Sequence, residues 1–423
     1  MKKLLFCLAI LAVCALSQAQ PHRSEAAVKA IMEDNTRAAN NHNSYEFFPI
    51  SDTPAPKGYK PFYISHYGRH GSRSAWGGDS YKYVIGILEE GHKAGMLTPA
   101  GDSLLVAARE VLAAYNGMDG RLTPRGVREH AAIAARMYKR YPAVFKGAKR
   151  VRAVSSTVPR CIVSMGAFTN SLSRLNPKLD ISLDTGERIM EYISPKDDDA
   201  RKLTRPAYEA GKAVLANVPD DTLGVLNILF KDPQVAAEKV LRPKYLTDAV
   251  FYTADIAEDF DIEDNLFRFL PFDAIYYRWA KKNLSLYTGQ CNSVESGAAR
   301  CAIAKPSVDD IVAKADEAIA GGAYVADLRF GHDYPLLALV SYLGIEGVGD
   351  RIPAEDVCDR WLGFWNIPMA SNLQMIFYRD KKGDVLVKFL YQEQERLLRG
   401  LEPVSGPYYR WEDVKANIEG YKR

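Results

Sequence analysis

The chain has 423 residues, a formal net charge of +3 and 47% hydrophobic residues, enough to bury a core in one large domain with an insertion or in two domains. A charge so close to neutral argues against nucleic acid as the main partner, so any positive field must be local. Its six cysteines form no C-x-x-C, which sets aside a zinc ribbon and a thioredoxin-type site.

Residues 1–19 carry the three parts of a secretory signal. Lys2 and Lys3 are the basic start, residues 4–16 the apolar run, and Ser17-Gln18-Ala19 the small-x-small cleavage site. The expectation is an exported chain, periplasmic or secreted. Lipoprotein processing at Cys14 is the alternative, against which Val13 speaks. Removing Lys2 and Lys3 takes the net charge from +3 to +1. No later segment is long and apolar enough for a membrane span. Of the four remaining cysteines, Cys291 and Cys301 flank a short polar loop, and a disulfide between them is expected in an oxidising compartment. Cys161, in apolar surroundings, reads as a buried thiol.

Residues 20–58 read as a polar leader with one helix over 25–39. A strand is predicted at 61–67. Thr98-Pro99 and Thr123-Pro124 each place an N-cap threonine before a proline at the first helical position, so helices are predicted over 100–115 and 125–141. A strand at 150–155 and a helix over 157–172 follow. From about 183 to 306 the texture changes to charged helical segments with few strand signals. A helix over 309–320, a strand at 323–330, a helix over 336–343 and strands at 373–378 and 385–391 then restore the alternation. The predicted fold is α/β: a mixed sheet flanked by helices, its core split between residues 20–182 and 307–423 by a mostly helical cap over 183–306.

Histidine is scarce, yet two histidines end predicted strands. His70 lies in R-H-G-S-R and His332 in F-G-H-D-Y-P. In open α/β sheets ligands bind beyond the carboxyl ends of the strands. Phosphoryl transfer from a monoester needs its negative charge held, and arginine's rigid fork suits phosphate oxygens. Arg69 and Arg73 flank Gly71, where the backbone can approach an anion closely. A neutral His70 can attack phosphorus, Asp333 can supply a proton to the leaving alcohol, and His332 can bond a phosphate oxygen. Arg160, in S-S-T-V-P-R-C-I-V-S, adds a third positive group near a helix start. His66, on the strand itself, reads as supporting structure.

These residues resemble the histidine acid phosphatases, the second clade of the histidine phosphatase superfamily. R-H-G-S-R-S-A is similar to the family's R-H-G-x-R-x-P, S-S-T-V-P-R-C-I-V-S to its third-arginine pattern, and H-D to its late motif; the L-T-P-R-G helix start resembles it too. Within the family the chain looks most like the multiple inositol polyphosphate phosphatases, which include phytases. The resemblance implies a Rossmann-like core with a helical cap, a phosphohistidine intermediate, and neither metal nor cofactor. It implies His70 as nucleophile, Asp333 as proton donor, and Arg69, Arg73, Arg160 and His332 as phosphate ligands. Ala75 stands where the family has proline. H-D-Y stands where the inositol polyphosphate branch often has H-A-E, a departure that bears on substrate. The expected partner is a small phosphorylated molecule, phytate or another inositol polyphosphate, with a broader acid phosphatase or sugar-phosphate phosphatase as the alternative. Two other classes compete: a metal hydrolase using His66, His70 and Asp333, which three arginines would disfavour, and a non-catalytic inositol phosphate or phosphosugar binder, which has no use for the acid at Asp333. Lys82, Lys202 and Arg205 are candidates for the pocket rim, with solvated surface charge as the plainer reading.

Overall fold

The computed structural model describes residues 23–50, 52–196, 199–240 and 242–420; the expected signal at 1–19, with Cys14, lies outside them. The strands are β1 (Lys60–Arg69), β2 (Arg150–Ser155), β3 (Asp180–Thr185), β4 (Tyr324–Gly331), β5 (Asn372–Arg379), β6 (Val385–Tyr391), β7 (Gln394–Arg396) and β8 (Tyr408–Arg410). They form one mixed sheet in the order β3-β2-β4-β1-β5-β6-β7, with β8 beside β6. The β3-β2-β4-β1 half is parallel and the rest antiparallel. The parallel half brings the ends of β1, β2 and β4 side by side, with Gly68 opposite Phe330 and Ser155 opposite Phe330 in register.

The principal helices are α1 (Glu25–Glu33), α2 (Asp79–Lys93), α3 (Pro99–Tyr115), α4 (Pro124–Arg140), α5 (Pro159–Leu175), α6 (Glu187–Ile193), α7 (Arg205–Leu215), α8 (Pro243–Ala257), α9 (Phe272–Gln290), α10 (Lys305–Ile319), α11 (Asp333–Leu343) and α12 (Trp411–Gly420). Helices cover both faces of the sheet, so every residue of β1 from Tyr63 to Arg69 is buried, polar ones included. On one face Ile64, Leu328 and Phe330 pack with Ile133, Met137, Phe168 and Leu172 of α4 and α5. On the other, Tyr63, Tyr67 and Phe377 join Leu336, Leu339 and Trp411. Burial of each such side chain contributes about 1.5–3 kcal/mol against the entropy of ordering the chain.

Thr98 and Thr123 cap α3 and α4 as their sequence implies, their hydroxyls accepting from Gly101 N and Gly126 N with proline at the first helical position. Between β3 and β4 the chain is helical, and its α8 packs on α2, so the segment before β2 also contributes to the helical layer. Three local differences from the sequence reading have clear causes. β3 is a polar edge strand, D-I-S-L-D-T, whose side chains stay largely outside the core and leave no apolar signal. The expected helix over 25–39 stops at Glu33, because Asp34 turns extended and caps a 3-10 turn over Asn35–His42. Cys291 and Cys301 are not joined: both are buried free thiols, Cys291 capping the end of α9 and Cys301 inside the short helix Gly297–Ala302. Burial pushes Cys301 up to about 12 and raises Cys291 as well, so both pack as small apolar groups.

Two glycines fix where the chain goes after β1. A Cβ on Gly71 would lie 2.7 Å from Gly126 Cα, and one on Gly126 would lie 2.3 Å from Ser72 O. The loop therefore lies directly on the first turn of α4, where Thr123 N and Oγ1 both donate to Ser72 O. Gly126→Ala forces backbone apart there. It is expected to cost about 1–3 kcal/mol, read as a lower midpoint in urea unfolding, and to displace the loop; an unchanged midpoint would show that the contact is slack.

Candidate active site

β1 ends at Arg69, so His70 emerges where the parallel strands stop. Its backbone is pinned on both sides: Arg69 N donates to Ser371 O, His70 N to Gly331 O, and Ala370 N to His70 O. The turn behind it is held by side chains. Gly71 N donates to Ser164 Oγ at 3.2 Å, and Glu129 accepts from Ser72 N and Ser72 Oγ at 2.7 Å each.

The His70 Nδ1 lies 3.0 Å from Gly71 O. A carbonyl only accepts, so Nδ1 carries the proton and Nε2 keeps its lone pair. Burial, with Arg69, Arg160, Arg73 and His332 nearby, holds the imidazole well below its usual pKa and so neutral. Its ring is 5.6 Å from that of His332, centre to centre.

The three arginines arrive by different routes. Arg69 Nη1 donates to Asn41 O at 2.5 Å and Ile367 O at 2.7 Å, and Nη2 lies 3.1 Å from Asp333 Oδ2. Arg73 Nη1 donates to Ser74 O at 2.8 Å and Nη2 to His42 Nε2 at 2.9 Å. Arg160, in the first turn of α5, places Nη2 3.3 Å from His332 Nδ1. The indole of Trp76, 65% exposed, lies over both Arg73 and Arg160, at 5.3 and 4.7 Å. Among the described residues the buried Nε donors of Arg69 and Arg160 have no acceptor. Buried donors without partners are uncommon and fit an anion as the missing acceptor.

His332 is the N-cap of α11, with Nε2 3.2 Å from Ser156 Oγ. Since Arg160 donates to Nδ1, the Nε2 proton points at Ser156. Burial and Arg160 lower its pKa to about 4. Asp333 begins α11, accepts from Asn41 Nδ2 at 2.8 Å and Tyr334 N at 2.9 Å, and is ion-paired with Arg69. Burial works against its charge, but Arg69 and the Asn41 bond prevail and hold its carboxyl well below the usual range. The carboxylate is thus held ionised beside Arg69.

All six residues singled out in the sequence converge at these strand ends. His66 does not join them: it is buried between Phe168 and Phe330. Among the described residues no three His, Cys, Asp or Glu side chains are grouped to hold a metal. Lys82, Lys202 and Arg205 are exposed. Sequence reasoning misses Asn41 and His42, in a stretch taken for a polar leader, and Asp255 and Lys282, on α8 and α9. The sequence shows only a polar run at 40–44, and it is the structure that buries Asn40, Asn41, Asn43 and Ser44, groups that then need partners. A separate cleft of about 390 Å³, lined by Arg152, Asp327 and Arg329 on the face under α6 and α10, is less suited to an anion. Arg329 is paired with Asp310, and Arg152 with Asp327.

Residues 68–392 match the family model of the histidine phosphatase superfamily (branch 2). No curated protein matches the chain. Among solved structures, the Bifidobacterium longum multiple inositol polyphosphate phosphatase in complex with inositol hexasulfate is 19% identical with a TM-score of 0.72, over 90% of this chain and 97% of that one. The phytase from D. castellii is 13% identical with a TM-score of 0.67, over 90% and 84%. Hafnia alvei phytase in complex with tartrate is 11% identical with a TM-score of 0.53, over 87% and 98%. At these identities the likeness is one of fold.

The neutral histidines make the fold acid-sensitive. Burial lowers His42, His130 and His332 to about 4 and His66 to about 3 from 6.5. The unfolded chain therefore takes up these protons first, and stability falls as pH drops from 6.5 toward 4, by up to ~1.4 kcal/mol per pH unit for each histidine. Asp333 adds to this loss only below its ordinary value of 3.8, where the unfolded chain's carboxylate protonates first and the folded-state stabilisation is lost. Thermal melts at pH 7 and pH 4.5 are expected to show a marked fall in Tm; equal values would mean that the imidazoles are already charged.

Proposed function

Because the chain belongs to branch 2 of the histidine phosphatase superfamily and is a phosphatase, we propose that it hydrolyses phosphate monoesters of inositol polyphosphates such as phytate through a phosphohistidine on His70. The observation that carries this reading is the free Nε2 of a neutral imidazole, ringed by three guanidinium groups of which two keep an unmatched buried donor.

In the proposed reaction the phosphoryl group docks against Arg69, Arg73 and Arg160, whose charge and fork geometry neutralise its oxygens. His70 Nε2 attacks phosphorus, the N–P bond forms and the P–O bond to the alcohol breaks. The leaving oxygen takes its proton from Asp333. The bound phosphate's negative charge opposes Arg69 and raises the Asp333 pKa, so the donor is loaded with substrate in place. Asp333 then accepts a proton from the water that attacks phosphorus, the N–P bond breaks, and phosphate leaves. An incoming oxygen competes with His332 for Arg160, and His332 donates to that oxygen once its proton moves from Nε2 to Nδ1 or a second proton is taken up. The inositol polyphosphate assignment is supported by the fold shared with a phosphatase crystallised with inositol hexasulfate. Export is supported by the signal-like residues 1–19.

Phosphate release from phytate, a sugar phosphate, an aryl phosphate and a nucleotide, each with and without chelator, tests this reading. Phytate is expected to turn over best and chelator to change nothing. His70→Ala should reduce release to background. Asp333→Asn should slow phytate about 100-fold but the aryl ester much less, because a phenolate leaves without a donated proton. Undiminished turnover by His70→Ala would sink the mechanism; a sugar phosphate far ahead of phytate would sink the substrate assignment.

A further inference from the structure

The N-terminal segment brings one side chain to the clamp that the motif does not contain. His42, ending the 3-10 turn after α1, has Nε2 2.9 Å from Arg73 Nη2 and Nδ1 2.7 Å from Asp255 Oδ2. A guanidinium only donates, so Nε2 is the acceptor and the proton sits on Nδ1, where the carboxylate accepts it. Asp255, near the end of α8, is buried and held in turn by Lys282 of α9, whose Nζ lies 3.5 Å from the same Oδ2 and 3.2 Å from Ala39 O. A continuous chain of polar contacts, Lys282–Asp255–His42–Arg73, thus crosses from the helical layer to the strand-end site.

We propose that His42 is a positioning residue for the phosphate clamp: oriented by Asp255, it fixes the guanidinium of Arg73 for the anion. Arg73 has five N–H donors, of which one is anchored to Ser74 O and one to His42, leaving the rest for phosphate. The choice of an imidazole follows from charge. A carboxylate in that place would neutralise Arg73 and compete with the phosphate, and a cation would add repulsion to a site that already holds three. A neutral acceptor steers the fork without altering the field. The charged groups facing His42 are Asp255, Lys282 and Arg73, and burial with Lys282 and Arg73 outweighs Asp255 to keep the ring neutral.

The proposal rests on the phosphatase reading, so two readouts are needed. One is steady-state hydrolysis of p-nitrophenyl phosphate; the other is binding of inorganic phosphate by calorimetry. His42→Ala is expected to raise both KM and the phosphate Kd about tenfold, with His42→Gln, whose amide oxygen can accept from Arg73, recovering most of the loss. In an Arg73→Ala background His42→Ala should cost nothing further. Losses that multiply in the double variant, or an unchanged phosphate Kd in folded His42→Ala, would overturn the proposal. Should His42→Ala fail to fold, Asp255→Asn provides the same comparison: its loss must vanish in the Arg73→Ala background, and a loss that persists there overturns the proposal. Wild-type protein that binds phosphate but hydrolyses nothing would defeat the phosphatase reading while the binding cycle still judges His42.

Discussion

Three guanidinium groups share one small volume at the end of a buried strand, and their mutual repulsion is the cost around which the site is built. At close range in a partly dehydrated setting, like charges repel by several kcal/mol. The protein offsets this mostly with dipoles. Arg69 faces two backbone carbonyls and one carboxylate, Arg73 a carbonyl and an imidazole, Arg160 an imidazole and an indole face. Dipoles stabilise a cation without cancelling it, so the field remains available to an anion.

The same field sets the protonation of its neighbours. His70 and His332 stay neutral because burial first, and then the neighbouring arginines, disfavour an imidazolium there. Asp333 stays ionised because burial, which opposes its charge, is outweighed by Arg69. Three arginines and one carboxylate leave the site with two net positive charges, the amount that a doubly charged anion would cancel. The histidines that line and underlie the site then make the fold itself vulnerable to acid, because folding requires them as neutral bases.

The parts of this arrangement that are legible in the sequence are those written locally. Thr98-Pro99 and Thr123-Pro124 declare helix starts by cap chemistry, R-H-G-S-R and G-H-D declare strand ends by a change from apolar to charged residues, and β5 and β6 show their pattern directly. The polar strand β3 is hidden because an edge strand needs no apolar face. His42, Asp255 and Lys282 are hidden because their meaning lies in one another: each alone is an ordinary polar residue, and only the packing of α8 and α9 against the 3-10 turn joins them. The cysteines mislead for a related reason. A short polar spacing looks like a loop to be stapled, but Cys291 ends a long helix and Cys301 sits within a short one, and both are absorbed into the apolar core.

The order of strands in the sheet has a consequence for the chain as it is made. β1 carries the R-H-G-S-R loop at its end, yet its two neighbours are β4 and β5, encoded far downstream. The carbonyl that fixes His70 N belongs to Gly331, and the one that fixes Arg69 N to Ser371. A growing polypeptide therefore exposes a hydrophobic strand with no partner until more than three quarters of its length has emerged. Non-local pairing of this kind is slow and leaves strand edges open to misassociation. His70 thus acquires its backbone partners only late, and a chain that has not yet reached Gly331 leaves both β1 and the loop after it unfixed.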